Sequence, residues 1–157
     1  MKSFCYFFAT LFAMVALPCD ASEITNLQAV KGKCEKASHI AEGAIGEDLT
    51  KRHSRFFCDS AVISSFDEDS RHIMVLFSES KSVNNMHIGF AGFMEEDGQI
   101  MNVSRVYLGK KKIEVTEGHC KFFFKNRHMH SVSCGAPVDE NGRRTVPIVS
   151  FTANPGQ

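Results

Sequence analysis

From Arg55 onward the sequence runs in short stretches rich in Val, Ile and Phe, separated at short intervals by turn-forming residues. That rhythm is the pattern of an antiparallel meander and leaves little room for long helices. Residues 56–65 predict a strand and Asp67-Glu68-Asp69-Ser70 a turn. His72-Ile73-Met74-Val75-Leu76-Phe77-Ser78 predicts the return strand, its continuous apolar run implying burial on both faces. A polar loop over 79–85 precedes a strand at 87–93, and Glu95-Glu96-Asp97-Gly98 links it to another at 99–108. Asp-Gly between apolar runs supplies the positive φ that a tight hairpin needs. Gly109 and Lys110-Lys111-Lys112 predict the next turn, followed by Ile113-Glu114-Val115. A last strand spans 145–152, in which Pro147 lacks a donor and so predicts an edge position. The expected fold class is mainly β: one antiparallel meander over 55–153, forming a sandwich or a small barrel.

The region before it reads differently. Residues 22–54 are rich in Ala, Lys and Glu, with Gly32, Gly43 and Gly46 interrupting, which predicts an irregular segment with short helical turns, one of them over 33–42. Residues 1–21 read as a signal peptide: Lys2 supplies a positive start, 5–17 an apolar run too short for a membrane span, and Cys19-Asp20-Ala21 a small-residue cleavage context before Ser22. The expectation is an exported chain, periplasmic or secreted, with no transmembrane segment after cleavage.

Of six cysteines, Cys5 and Cys19 fall in the signal, so Cys34, Cys58, Cys120 and Cys134 remain. An even set in an exported chain predicts two disulfides. Strands 120–125 and 129–134 flank Asn126-Arg127-His128, and a three-residue loop sets Phe124 opposite His130, Phe122 opposite Val132 and Cys120 opposite Cys134. Facing cysteines at a non-hydrogen-bonded position can bridge. The favoured pairing is therefore 120 with 134 and 34 with 58, and a bridge from Cys58 to a hairpin cysteine is the competitor.

The formal net charge is +0, and a balanced chain lacks the clustered basic stripe that grips a phosphate backbone. Nucleic acid is not an expected partner. With the cysteines oxidised no thiolate is at hand, and no Gly-x-Ser-x-Gly elbow occurs, so nothing points to catalysis. No cofactor motif is present and no cofactor is expected.

A few residues could carry binding. Asp139, Glu140, Arg143 and Arg144 gather two acids and two arginines in the turn-rich stretch 136–144; arginine forks suit carboxylate or phosphate ligands, with ion pairing inside the stretch as the simpler reading. The hairpin register turns Phe123 toward the polar face, as a covered contact or an exposed anchor. His128 and His130 have the alternate spacing that aims two imidazoles to one side of a strand, a weak metal candidate, with His119 pointing the other way. Asp67-Glu68-Asp69 and 95–98 do not complete a calcium loop.

The stretches Cys58-Asp59-Ser60-Ala61-Val62 and Cys134-Gly135-Ala136-Pro137-Val138-Asp139-Glu140-Asn141-Gly142-Arg143-Arg144-Thr145 resemble small uncharacterised exported proteins of alphaproteobacteria. The resemblance implies a periplasmic setting and no activity. The function expected is a binding module for a protein or cell-envelope ligand; an inhibitor of a secreted lysozyme or protease and a small metal-dependent enzyme are the alternatives.

Overall fold

A computed structural model describes residues 25–66, 71–80 and 86–156. Residues 1–24, which include the expected signal peptide, residues 67–70, expected as a turn, and residues 81–85 of the expected polar loop lie outside these. The described residues form twelve strands: β1 (Thr25–Cys34), β2 (His39–Ala44), β3 (His53–Arg55), β4 (Ser60–Ser65), β5 (His72–Ser78), β6 (His87–Met94), β7 (Ile100–Leu108), β8 (Lys111–Glu114), β9 (His119–Lys125), β10 (His128–Gly135), β11 (Val138–Glu140) and β12 (Arg143–Ala153).

Eight of them run β1-β4-β5-β6-β7-β9-β10-β12, all antiparallel, and β12 pairs back onto β1 through Gly32 with Ala153 and Cys34 with Phe151. The sheet is thus a closed barrel, which settles the choice between sandwich and barrel. Closure removes the free edges that an open meander would expose. The other strands are additions: β8 extends β7, β11 folds onto β12, and β2 with β3 borders the N-terminal half of β12.

Side chains fill the interior. Phe77 lies between Phe90 and Phe151, with ring centroids 6.3 and 5.9 Å away, and Val75, Ile88, Met101, Val106, Val132 and Val149 are fully buried around them. An eight-stranded barrel is just wide enough for such a core or for one small ligand, and here aromatic side chains take the space.

The N-terminal segment corrects the helical expectation. Residues 33–42 belong to β1, a turn and β2, and the described residues 25–55 form three strands rather than helical turns. Gly32 marks a close approach: a Cβ there would collide with the Thr152 carbonyl oxygen, so β1 and β12 can meet at that point only because the side chain is missing. Tertiary pairing has overridden a weak local preference.

Four other expectations change. Pro147 is not at an edge: it is buried, pairs with Ile40 of β2 and lies one residue past the last β10 pair, Gly135 with Ile148. Proline is tolerated where one ladder has just ended. Residues 136–144 are not a loop but the β11–β12 hairpin, and Lys111 and Lys112 lie in β8, leaving Gly109-Lys110 as the turn. The β9–β10 hairpin turns on two residues, Asn126 and Arg127, both at positive φ, so that Lys125 pairs with His128 and Phe124 with Met129. A bulge between Met129 and Ser131 then adds the extra residue, restoring Phe122 opposite Val132 and Cys120 opposite Cys134.

Both disulfides follow the favoured pairing. Cys120–Cys134 spans adjacent strands with Cα atoms 4.0 Å apart, and Cys34–Cys58 ties the end of β1 to the segment after β3 at 5.0 Å. They are consistent with an oxidising compartment. Among the described residues no helix is long and apolar enough to cross a membrane.

Candidate functional site

With the interior filled, a ligand must meet the protein at its surface. One surface concavity, a groove of about 310 Å3, lies where β2, β11 and β12 stand against the β7–β8 hairpin. Strand parity explains its lining. On the β11–β12 hairpin, Val138 pairs with Thr145 and Glu140 with Arg143, so these four side chains share a face, while Asp139 and Arg144 share the opposite one. Across β12, Thr145 pairs with Glu42 and Pro147 with Ile40, bringing Ile40 and Glu42 to the same face. Leu108, Ile113 and Lys111 enter from β7 and β8, and Met86, 46% exposed, comes from the chain just before β6.

The floor is apolar, built from Ile40, Leu108, Ile113 and Val138. Its rim carries two ion pairs, each joining different elements: Arg143 Nη2 to Glu42 Oε1 at 2.9 Å, and Lys111 Nζ to Glu140 Oε2 at 3.4 Å. Arg143 Nε also donates to Glu42 Oε1, at 3.2 Å. All four side chains are solvent-exposed, and pairs of this kind add little to stability. They leave the rim with two charges of each sign, open to exchange with a ligand.

The hairpin holding the groove is rigidly made. Its turn is Asn141-Gly142, both at positive φ, as a two-residue hairpin with right-handed strand twist requires. On the far side, Arg144 Nε and Nη2 donate to the two Asp139 carboxylate oxygens, each at 2.8 Å. Hydrogen bonds from Arg144, then its charge, hold the Asp139 carboxyl below its ordinary value, and the same contacts raise the Arg144 guanidinium.

The sequence candidates therefore separate. Glu140 and Arg143 line the groove, and Asp139 and Arg144 neutralise each other behind it. Phe123 is 43% exposed on β9, beside the opposite end of β7 from Leu108, with the Lys121 ammonium 5.5 Å from its ring centre. His128 and His130 flank buried Met129 and line a separate depression of about 460 Å3 with Asn126, Asn154, Pro155 and Gly156. Among the described residues, no group of three or more His, Cys, Asp or Glu is placed to hold a metal ion. The carboxylates of 95–98 serve their own turn: Asp97 accepts from the Gln99 N–H at 2.8 Å and Glu95 from the Asn102 amide at 3.0 Å.

Sequence reasoning missed Glu42, Lys111 and the apolar floor. No local signal marks them, since Arg143 and Glu42 are 101 residues apart in the chain. Comparison with protein-family models, with curated proteins and with solved structures found no match.

Proposed function

We propose that the protein is an exported binding module, periplasmic or secreted, that takes a partner's apolar side chain in the groove between β2, β8, β11 and β12, with the four rim charges reading its polar flanks. The observation that carries the reading is an apolar floor ringed by exposed, exchangeable ion pairs on a rigid hairpin, beside a barrel interior that is already full. A volume near 310 Å3 lies at the small end of ligand sites, room for one or two side chains or a small molecule and not for a long lipid. Balanced charge and two disulfides support a rigid recognition scaffold in an oxidising compartment.

The test uses a photo-crosslinking residue at Asn141, with one at Lys36 as control, in cells producing the protein. A protein adduct specific to position 141 is expected. The double exchange Glu42→Arg with Arg143→Glu preserves an internal ion pair while reversing the rim, and should abolish the adduct. An adduct unchanged by the exchange, or equal labelling from position 36, overturns the assignment of the groove.

A further inference from the structure

We propose that His39 and His53 form a two-imidazole site for a divalent transition-metal ion of the copper, nickel or zinc class, on the outer face of the β2–β3 hairpin. In that hairpin His39 pairs with Arg55, Ile40 with Ser54 and Ala41 with His53. Partners across a ladder share a face, so the two histidines are diagonal neighbours on the side opposite Ile40. Their ring centroids are 5.2 Å apart and the planes are inclined by 58°. Two imidazoles on one tetrahedral ion, with metal–nitrogen distances of about 2.0–2.1 Å, place their ring centres roughly 5 Å apart.

The tautomers suit the task. His39 Nδ1 lies 2.6 Å from the Ala37 carbonyl oxygen and His53 Nδ1 lies 3.1 Å from that of Thr50. A carbonyl only accepts, so each Nδ1 carries the proton and each Nε2 of the neutral ring keeps its lone pair. Donation of the second ring nitrogen to a backbone carbonyl is the usual outer-shell support of a metal-binding histidine. Here it is supplied twice within one hairpin.

The base beneath is stiff. Ser38, next to His39, is fully buried and hydrogen-bonded to Ser150, while the Phe56 N–H donates to the Ser38 carbonyl and the Glu42 N–H to that of Arg52. The two nearby arginines are engaged elsewhere: the Arg55 guanidinium sits 4.7 Å from the Phe57 ring centre and Arg52 pairs with Glu47 at 2.7 Å. Imidazole donors favour copper, nickel and zinc over calcium or magnesium, and two protein ligands leave further positions to water or to a second molecule's donor atom.

The experiment titrates the purified, disulfide-bonded protein separately with copper(II), nickel(II) and zinc(II) chloride, reading heat and the histidine ring resonances. One ion per chain is expected, with the His39 and His53 resonances perturbed first. His39→Gln and His53→Gln should each weaken binding by at least about 10- to 100-fold, the loss that removing even an outer-shell partner brings. His128→Gln with His130→Gln should leave the affinity unchanged. Affinity that survives either single variant, perturbation centred on His128 and His130, or no heat with any of the three ions overturns the proposal. The resonance map of the parent protein decides the site even where a variant folds poorly.

Discussion

The Ser38 hydroxyl stands where a strand partner would be expected for Ser150: it donates to the Ser150 carbonyl and accepts from the Ser150 N–H, each at 3.0 Å. Ser38 is fully buried, so both contacts are shielded from water. The side chain continues a ladder across the gap where β2 leaves β12 and β1 begins to pair with it.

Ser38→Ala is therefore expected to destabilise the fold by about 1–3 kcal/mol, the cost of leaving a buried N–H without a partner. Urea unfolding at neutral pH measures it. A midpoint indistinguishable from the parent's would mean that the Ser150 amide finds another acceptor.

The disulfides should contribute comparably. They close loops with sequence separations of 14 and 24, and chain entropy assigns each about 3–4 kcal/mol, slightly more to Cys34–Cys58. Paired alanine variants, Cys120→Ala with Cys134→Ala and Cys34→Ala with Cys58→Ala, should each lower stability by about 2–5 kcal/mol. Non-reducing peptide mapping is the direct check, and a fragment joining Cys58 to either hairpin cysteine would contradict the arrangement.

Acid should weaken the protein through Asp59 and Asp139. Hydrogen bonds from Ser80 lower the first, and those from Arg144 lower the second, relative to a value of 3.8. A carboxyl with a depressed folded-state pKa contributes stability that is complete above the unfolded value and is lost as pH falls through the folded one. Stability should thus hold down to about pH 5 and decline below 4, with Asp139→Asn flattening that decline and high salt reducing the difference. Unfolding midpoints from pH 6 to pH 2 test this, and a decline equally steep in Asp139→Asn would exclude the Arg144 pair as a contributor.

The two tight hairpins offer opposite tests of backbone conformation. Gly142 has φ of 75° with open space around it, so Gly142→Ala costs only the left-handed penalty, about 1 kcal/mol. Arg127 holds φ of 67° with a side chain attached, so Arg127→Gly should stabilise by up to about 1 kcal/mol. Thermal melts of both variants should shift in opposite directions, and shifts of the same sign would rule out this account of the turns.

The long strands β4 to β7, β9, β10 and most of β12 were legible because runs of apolar residues between turn-forming residues are local signals, whereas the short β8 and β11 read as turn and loop because charged residues dominate them. Cys120 opposite Cys134 was legible for a partly compensated reason: the turn is one residue shorter than its sequence suggests, and the bulge after Met129 restores the count. The first three strands were illegible because what makes them strands is distant, namely β4 and β12 waiting to pair. Gly32 and Gly43 read as helix breakers, whereas Gly32 marks a place where the β12 backbone comes too close for a side chain and Gly43 lies under the ends of the Leu49 and Glu47 side chains. Glu140 and Arg143 could be singled out by composition, but their ion-pair partners come from β8 and β2. The His39–His53 pair was hidden more deeply, since its diagonal placement depends on a register that no turn motif announces.

Because β12 touches β1, β2, β10 and β11, the strand nearest the end of the described chain is also the one on which the others converge. A polypeptide emerging from its N-terminus would hold β4 to β10 as an unsealed curtain, with β1 hanging from one margin, until residues 143–153 arrived. Joining Gly32 to Ala153 is a far-separated contact and is expected to be the slow event in folding. Pulse-labelling hydrogen exchange should accordingly protect β5 and β6 amides before those of β12, and simultaneous protection would show the seal forming together with the curtain.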